Sequence, residues 1–121
     1  MKTVRLILVA SLMLSLSSLP AAEVPQANLQ QFRKEVNPVL KRVCGECHGP
    51  KKQKGKFRID TLDPDLLKGK DVSWWLEVFD VIGNGEMPTE DAKVQLADTE
   101  KAQIIDWLSG EIQLASQMRR S

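Results

Sequence analysis

The chain has 121 residues with 17 basic and 16 acidic side chains, a formal net charge of +1, two cysteines and a single histidine. That length holds one small domain, and the balanced charge excludes a polyanion-binding protein of the strongly basic kind. Two cysteines are too few for a disulfide-stapled scaffold.

The first 22 residues have the layout of a secretory signal. Lys2 and Arg5 give a short positive region, Leu6 to Leu16 an apolar run of eleven residues, and Ser17 to Ala22 small residues for cleavage. The apolar run is well short of the ~20 residues a spanning helix needs. Cleavage after Ala22 is expected, with an uncleaved N-terminal anchor as the other reading. The mature remainder would be 99 residues with fifteen basic and sixteen acidic groups, a net −1.

Residues 23–30 read as a leader, 31–115 as the domain and 116–121 as a polar tail. From Leu29 the apolar positions Phe32, Val36, Val39, Leu40 and Val43 follow helical spacing. Asn28 and Gln31 form a capping pair at its start. Pro38 either bends this helix or restarts it with Asn37 as cap.

The helix delivers the chain into Cys44-Gly45-Glu46-Cys47-His48, which contains both cysteines and the only histidine. C-x-x-C-H is the pattern of covalent haem c attachment. Two thiols about one helical turn apart each form a thioether with the porphyrin edge, and the adjacent imidazole becomes the axial iron ligand. Zinc would need a carboxylate to complete four ligands. A thioredoxin-like pair would open a helix after a strand, whereas here a helical pattern precedes Cys44. A plain disulfide would leave His48 without a role. Attachment of haem c takes place outside the cytoplasm in bacteria, in agreement with the signal layout, so a periplasmic or otherwise exported, soluble protein is expected. A buried porphyrin would add much of the core that so short a chain lacks.

Gly49-Pro50 ends the helix. Lys51, Lys52, Lys54, Lys56 and Arg58 then place five positive charges in eight residues. The lysines could steer an acidic redox partner or serve only to solvate a loop. Arg58 is a candidate for a haem propionate, as is the indole N–H of Trp74 or Trp75, with Trp75 put first. Asp63-Pro64 to Gly69 predicts one helical turn capped by Asp63, and Ser73 is expected to cap a helix carrying Trp74 to Ile82. One of the adjacent tryptophans should be core and the other partly exposed. The last helix is expected from about Thr99, with Trp107 packing where the terminal helices cross and a fraying end. No repeat and no convincing strand is visible, so the fold class is all-α, three main helices plus loops.

With one histidine present, a second His ligand would need a partner molecule; methionine is the next common choice, and beyond residue 22 the chain offers Met87 and Met118. Met118 lies near a charged terminus. Met87, in Gly85-Glu86-Met87-Pro88, sits where an extended turn can aim a thioether at the opposite haem face. His/Met coordination raises the potential and closes the iron to substrates, which favours electron transfer. The alternative is a haem gas sensor or peroxidase-like enzyme with a labile or open distal site. The chain has no second histidine for distal acid–base chemistry.

The runs Val36-Asn37-Pro38-Val39-Leu40, Cys44 to Gly55, Phe57-Arg58-Ile59-Asp60, Gly85-Glu86-Met87-Pro88 and Ile105-Asp106-Trp107-Leu108 together resemble the planctomycete-type cytochrome c domain. The resemblance covers about residues 32–110. It implies a cytochrome c fold with terminal helices crossing beside one haem, Met87 as distal ligand and redox proteins as partners. Lys56 stands where that family often has glycine, and Thr89 where it often has proline. No fused enzyme follows, so the expected role is that of an electron carrier and not an enzyme.

Overall fold

The computed structural model describes residues 24–121 continuously, together with residues 3, 10 and 13–18. The signal segment expected over residues 1–22 therefore lies largely outside the described residues. Three helices carry the fold. Among the described residues no strand forms; an isolated antiparallel bridge joins His48 and Gln53.

The N-terminal helix covers residues 29–44 in three consecutive segments: α-helical Leu29–Gln31, π-helical Phe32–Val36 and α-helical Asn37–Cys44. Its start is the expected one, since the Asn28 side chain accepts a hydrogen bond from the Gln31 N–H. Pro38 does not restart the helix with Asn37 as cap. The turn before it widens, so that the Asn37 N–H bonds to the Phe32 carbonyl. A proline ring clashes with the carbonyl one turn back, and one wide turn makes room for it. Phe32, Val36, Leu40 and Val43 still fall on one buried face.

The middle helix, Val72–Gly83, buries Trp75, Val78 and Ile82. Ser73 does not cap it. Asp71 occupies the cap position, and its carboxylate accepts from the Asp63 N–H at 2.8 Å. Two carboxylates cap the turn before it: Asp63 accepts from Asp65 N at 3.0 Å, and one Asp65 oxygen accepts from Leu67 N and Lys68 N, both at 2.9 Å. Three carboxylates, those of Asp63, Asp65 and Asp71, thus hold residues 63–71 as a loop closed onto the helix start.

The C-terminal helix, Asp98–Arg120, starts one residue earlier than expected and continues through the tail, which does not fray at Gln117. Positive charge at Arg119 and Arg120 in the last turn complements the helix dipole. All three helices meet at an aromatic cluster. Phe32 lies 5.8 Å from Trp75 and 5.1 Å from Trp107, and the two indoles are 5.6 Å apart at 77°. Edge-to-face pairs of this kind add about 0.5–1.5 kcal/mol each beyond the area they bury. Trp107 therefore packs where the terminal helices cross. Trp75 is fully buried, while Trp74 is 41% exposed. This core leaves the ends of the first two helices free to frame a cavity on one side.

Candidate functional site

Cys44 is the last residue of the N-terminal helix, and the chain then makes one more turn. Cys47 N and His48 N both donate to the Cys44 carbonyl, at 3.3 and 2.9 Å. The two thiols, three positions apart, and the imidazole come to the wall of one cavity of about 360 Å³. Gly49 lets the chain leave this turn. A Cβ there would lie 2.2 Å from the Gly45 carbonyl, closer than any side chain allows.

The segment after Gly49 folds back under the motif. Lys54 N donates to the Cys47 carbonyl at 2.9 Å, and Ile59 N to the His48 carbonyl at 2.8 Å. The return places the Lys54 carbonyl 2.8 Å from Nδ1 of His48. A carbonyl only accepts, so Nδ1 carries the proton and Nε2 keeps its lone pair for a metal. Phe57 packs on the imidazole with centroids 5.3 Å apart. Gly55 and Lys56 make the tight return with φ of 68° and 58°. Left-handed backbone suits glycine, but Lys56 bears the Cβ penalty.

Met87 lines the same cavity, as do Val78, Val81 and Ile82 of the middle helix. Its place is fixed from that helix's end: Gly85 adopts φ +82°, Glu86 N donates to the Asn84 side chain at 2.9 Å, and Met87 N to the Val81 carbonyl at 2.9 Å. Beyond it, the Gln95 amide donates to the Thr89 and Ala92 carbonyls at 2.9 and 2.8 Å, clamping the loop that carries Pro88. The Thr89 hydroxyl holds the Asp91 carboxyl below its usual range.

Burial pushes the Cys44 thiol up to about 11, with Cys47 adding to the effect. A redox-active pair needs the opposite, a lowered thiol at a helix N-terminus. Cys44 stands at a helix C-terminus, and both cysteines are free. Among the described residues no group of three His, Cys, Asp or Glu side chains is placed to hold a metal ion. These observations oppose the thioredoxin-like, disulfide and zinc readings. The residues do fit a covalent haem: two thiols, an imidazole with a free Nε2 and a thioether border one apolar cavity.

Of the six residues singled out from the sequence, four meet here. The other two do not. The Trp75 indole donates to the Asp63 carbonyl at 2.7 Å and is shielded in the core, so it is not a propionate donor. Arg58 is engaged by Asp60 through two hydrogen bonds, at 3.0 and 2.6 Å, and lines neither cavity. Trp74, the other indole of the pair, lines the cavity. The spacing of Trp74, Val78 and Val81 on one helix stripe was the signal for it. The Lys54 carbonyl had none, because a backbone acceptor leaves no mark in residue identity.

A second, more polar concavity of about 910 Å³ adjoins the first and shares Cys47 and Lys54 with it. Lys41, Lys51, Lys52, Lys54 and Lys93 face Glu46, Asp60 and Asp91 there. Three of the four lysines expected to dock a partner line it; Lys56 does not.

The all-α fold is consistent with a small cytochrome, and the donor set with a haem of the c type. Residues 44–91, 48 of the 121, match the sequence profile of the family described as Planctomycete cytochrome C. The matched span runs from the first cysteine past Met87, and that family implies haem c and electron transfer. No curated protein and no solved structure gives a significant match. Among the described residues no helix is long and apolar enough to cross a membrane.

Proposed function

We propose that the chain is an exported monohaem c-type cytochrome that carries single electrons between redox proteins and is not itself an enzyme. Cys44 and Cys47 tether the porphyrin, while His48 and Met87 bind the iron from opposite sides. Haem c supplies a one-electron iron couple, and the protein's part is to hold its ligands still in both oxidation states. The observation that carries this reading is the bond from His48 Nδ1–H to the Lys54 carbonyl, which turns Nε2 outward as a ligand. Residues 1–22 would direct export to the periplasm and be removed there. The lysine-lined concavity would receive an acidic partner.

The rival reading is a sensor or peroxidase-like protein with a labile or open distal site. Visible spectra of the oxidised and reduced exported protein separate the two. Haem that stays attached on denaturing electrophoresis, with a ferric methionine–sulfur charge-transfer band lost in Met87→Ala, is expected. A high-spin haem that binds carbon monoxide in the unaltered protein favours the sensor, and no covalent haem at all overturns both.

A further inference from the structure

The stretch of cavity wall that carries Met87 is fastened by one side chain outside the cavity. Met87, Pro88, Thr89 and Ala92 all line that wall. Among the described residues, one backbone–backbone hydrogen bond lies within the loop 88–96, from Ala92 N to the Thr89 carbonyl at 3.0 Å. The Gln95 amide supplies the rest: Nε2 donates to the Thr89 and Ala92 carbonyls at 2.9 and 2.8 Å, with the Glu90 carbonyl 3.5 Å away. Its neighbour Leu96 packs against the core, so the amide ties the loop to an anchored segment. A segment with few backbone bonds opens locally at low cost, and each bond that fastens it counts. Pro88, whose ring fixes φ, is the one residue between Thr89 and Met87, so a shift at Thr89 passes to Met87. Gln95 lines neither cavity and acts on the wall through this loop.

We propose that Gln95 is a positioning residue for Met87: its amide gathers the carbonyls of residues 89 and 92 and thereby keeps the thioether at the cavity. This rests on the reading of Met87 as a ligand, and adds the residue that sets how readily a competing ligand displaces it. A thioether kept in place closes the site, whereas a released loop opens it. The clamp therefore acts on the side of the carrier and against the sensor.

Hydrogen exchange in the holoprotein reads the clamp at the Ala92 N–H, and its reach at the Met87 N–H, which bonds to the Val81 carbonyl. Gln95→Met keeps the side-chain length and removes both donors, while Gln95→Lys keeps N–H donors on an unbranched chain. In Gln95→Met both amides are expected to exchange about tenfold faster. The Lys54 and Ile59 N–H groups, which hold the His48 turn, should stay native. Imidazole, as a competing probe, should bind ferric Gln95→Met about tenfold more tightly, because the fraction of protein with Met87 displaced sets its apparent affinity. Gln95→Lys is expected to return both readouts toward native values, which a merely structural role would not require. Native exchange at Ala92 and Met87 in Gln95→Met overturns the proposal and leaves the carrier reading intact. Faster exchange at Ala92 with native imidazole affinity also overturns it, since the clamp would then not reach Met87. So does equal acceleration at all four amides, the mark of a general loss of stability. Native protein without covalent haem removes the carrier reading and, with it, the role given to Met87.

Discussion

The carboxylate of Glu111 accepts a hydrogen bond from the backbone N–H of Asn28, 83 positions earlier in the chain. The Trp107 indole donates to the Asn28 carbonyl at 3.1 Å, so one residue is held at both its polar backbone atoms by the C-terminal helix. Glu111 is the buried charged side chain among the described residues. Burial raises its carboxyl above the ordinary range, against the opposing pull of its hydrogen bonds.

A raised folded-state value means that the folded protein holds a proton the unfolded chain has already released. Stability should therefore fall as pH rises through the window between the two values. Glu111→Gln keeps an acceptor for Asn28 without the charge. It is expected to flatten that pH dependence and to match or exceed native melting temperature at pH 7. Glu111→Ala leaves the Asn28 N–H unpaired and should cost about 1–3 kcal/mol. Thermal melts from pH 4 to 8 check both; an unchanged pH profile in Glu111→Gln would discard the argument.

Lys56 adopts φ 58°, the left-handed region. The Cβ penalty there is about 1–2 kcal/mol, and the added freedom of glycine in the unfolded chain returns about 0.5–1 kcal/mol of it. Lys56→Gly should accordingly stabilise the protein by about 0.5–1 kcal/mol. Urea unfolding of the holoprotein measures this, and a loss of stability would mean that the lysine side chain contributes more than the backbone costs.

Gly49 passes beneath the Cys44–His48 turn with no room for a side chain. Gly49→Ala must push the Gly45 carbonyl aside, at about 1–3 kcal/mol for an overpacked site. Because that carbonyl belongs to the turn presenting the thiols and imidazole, covalent haem per polypeptide should fall too. Haem stain against total protein gives the ratio, and native loading with native stability would contradict the close approach.

Lysines of the polar concavity should govern association with an acidic redox protein. Lys52→Glu combined with Lys93→Glu leaves the Lys54 carbonyl and every haem-site residue in place. Association is expected to slow about tenfold at low ionic strength and to converge with native protein at high salt. Stopped-flow reduction across a salt series would reveal it; equal rates at low salt would place the contact elsewhere.

Much of this protein is legible locally. The C-x-x-C-H cluster announces its chemistry because the attachment reaction needs those three groups within one turn, and helical periodicity marks the face of each helix. Capping was less legible. Asp63, Asp65, Asp71 and Ser73 all suit a cap, and the choice depended on which backbone N–H groups the folded loop left without partners. The same competition misassigned the indoles. Trp74 and Trp75 are adjacent and chemically identical, and only the helix's rotation against Phe32 and Trp107 sent one to the core and the other to the cavity.

The sequence by itself determined the thiols, the imidazole and the class of cofactor they imply, because covalent chemistry depends on residue type at short spacing. It also marked Met87, since with one histidine in the chain a thioether is the soft donor that remains. Tertiary structure alone decided that a Lys54 carbonyl orients His48, that Asp60 engages Arg58 and that a π turn absorbs Pro38. Those outcomes are settled by which polar groups and surfaces meet once the helices pack, and no single residue's identity carries that information.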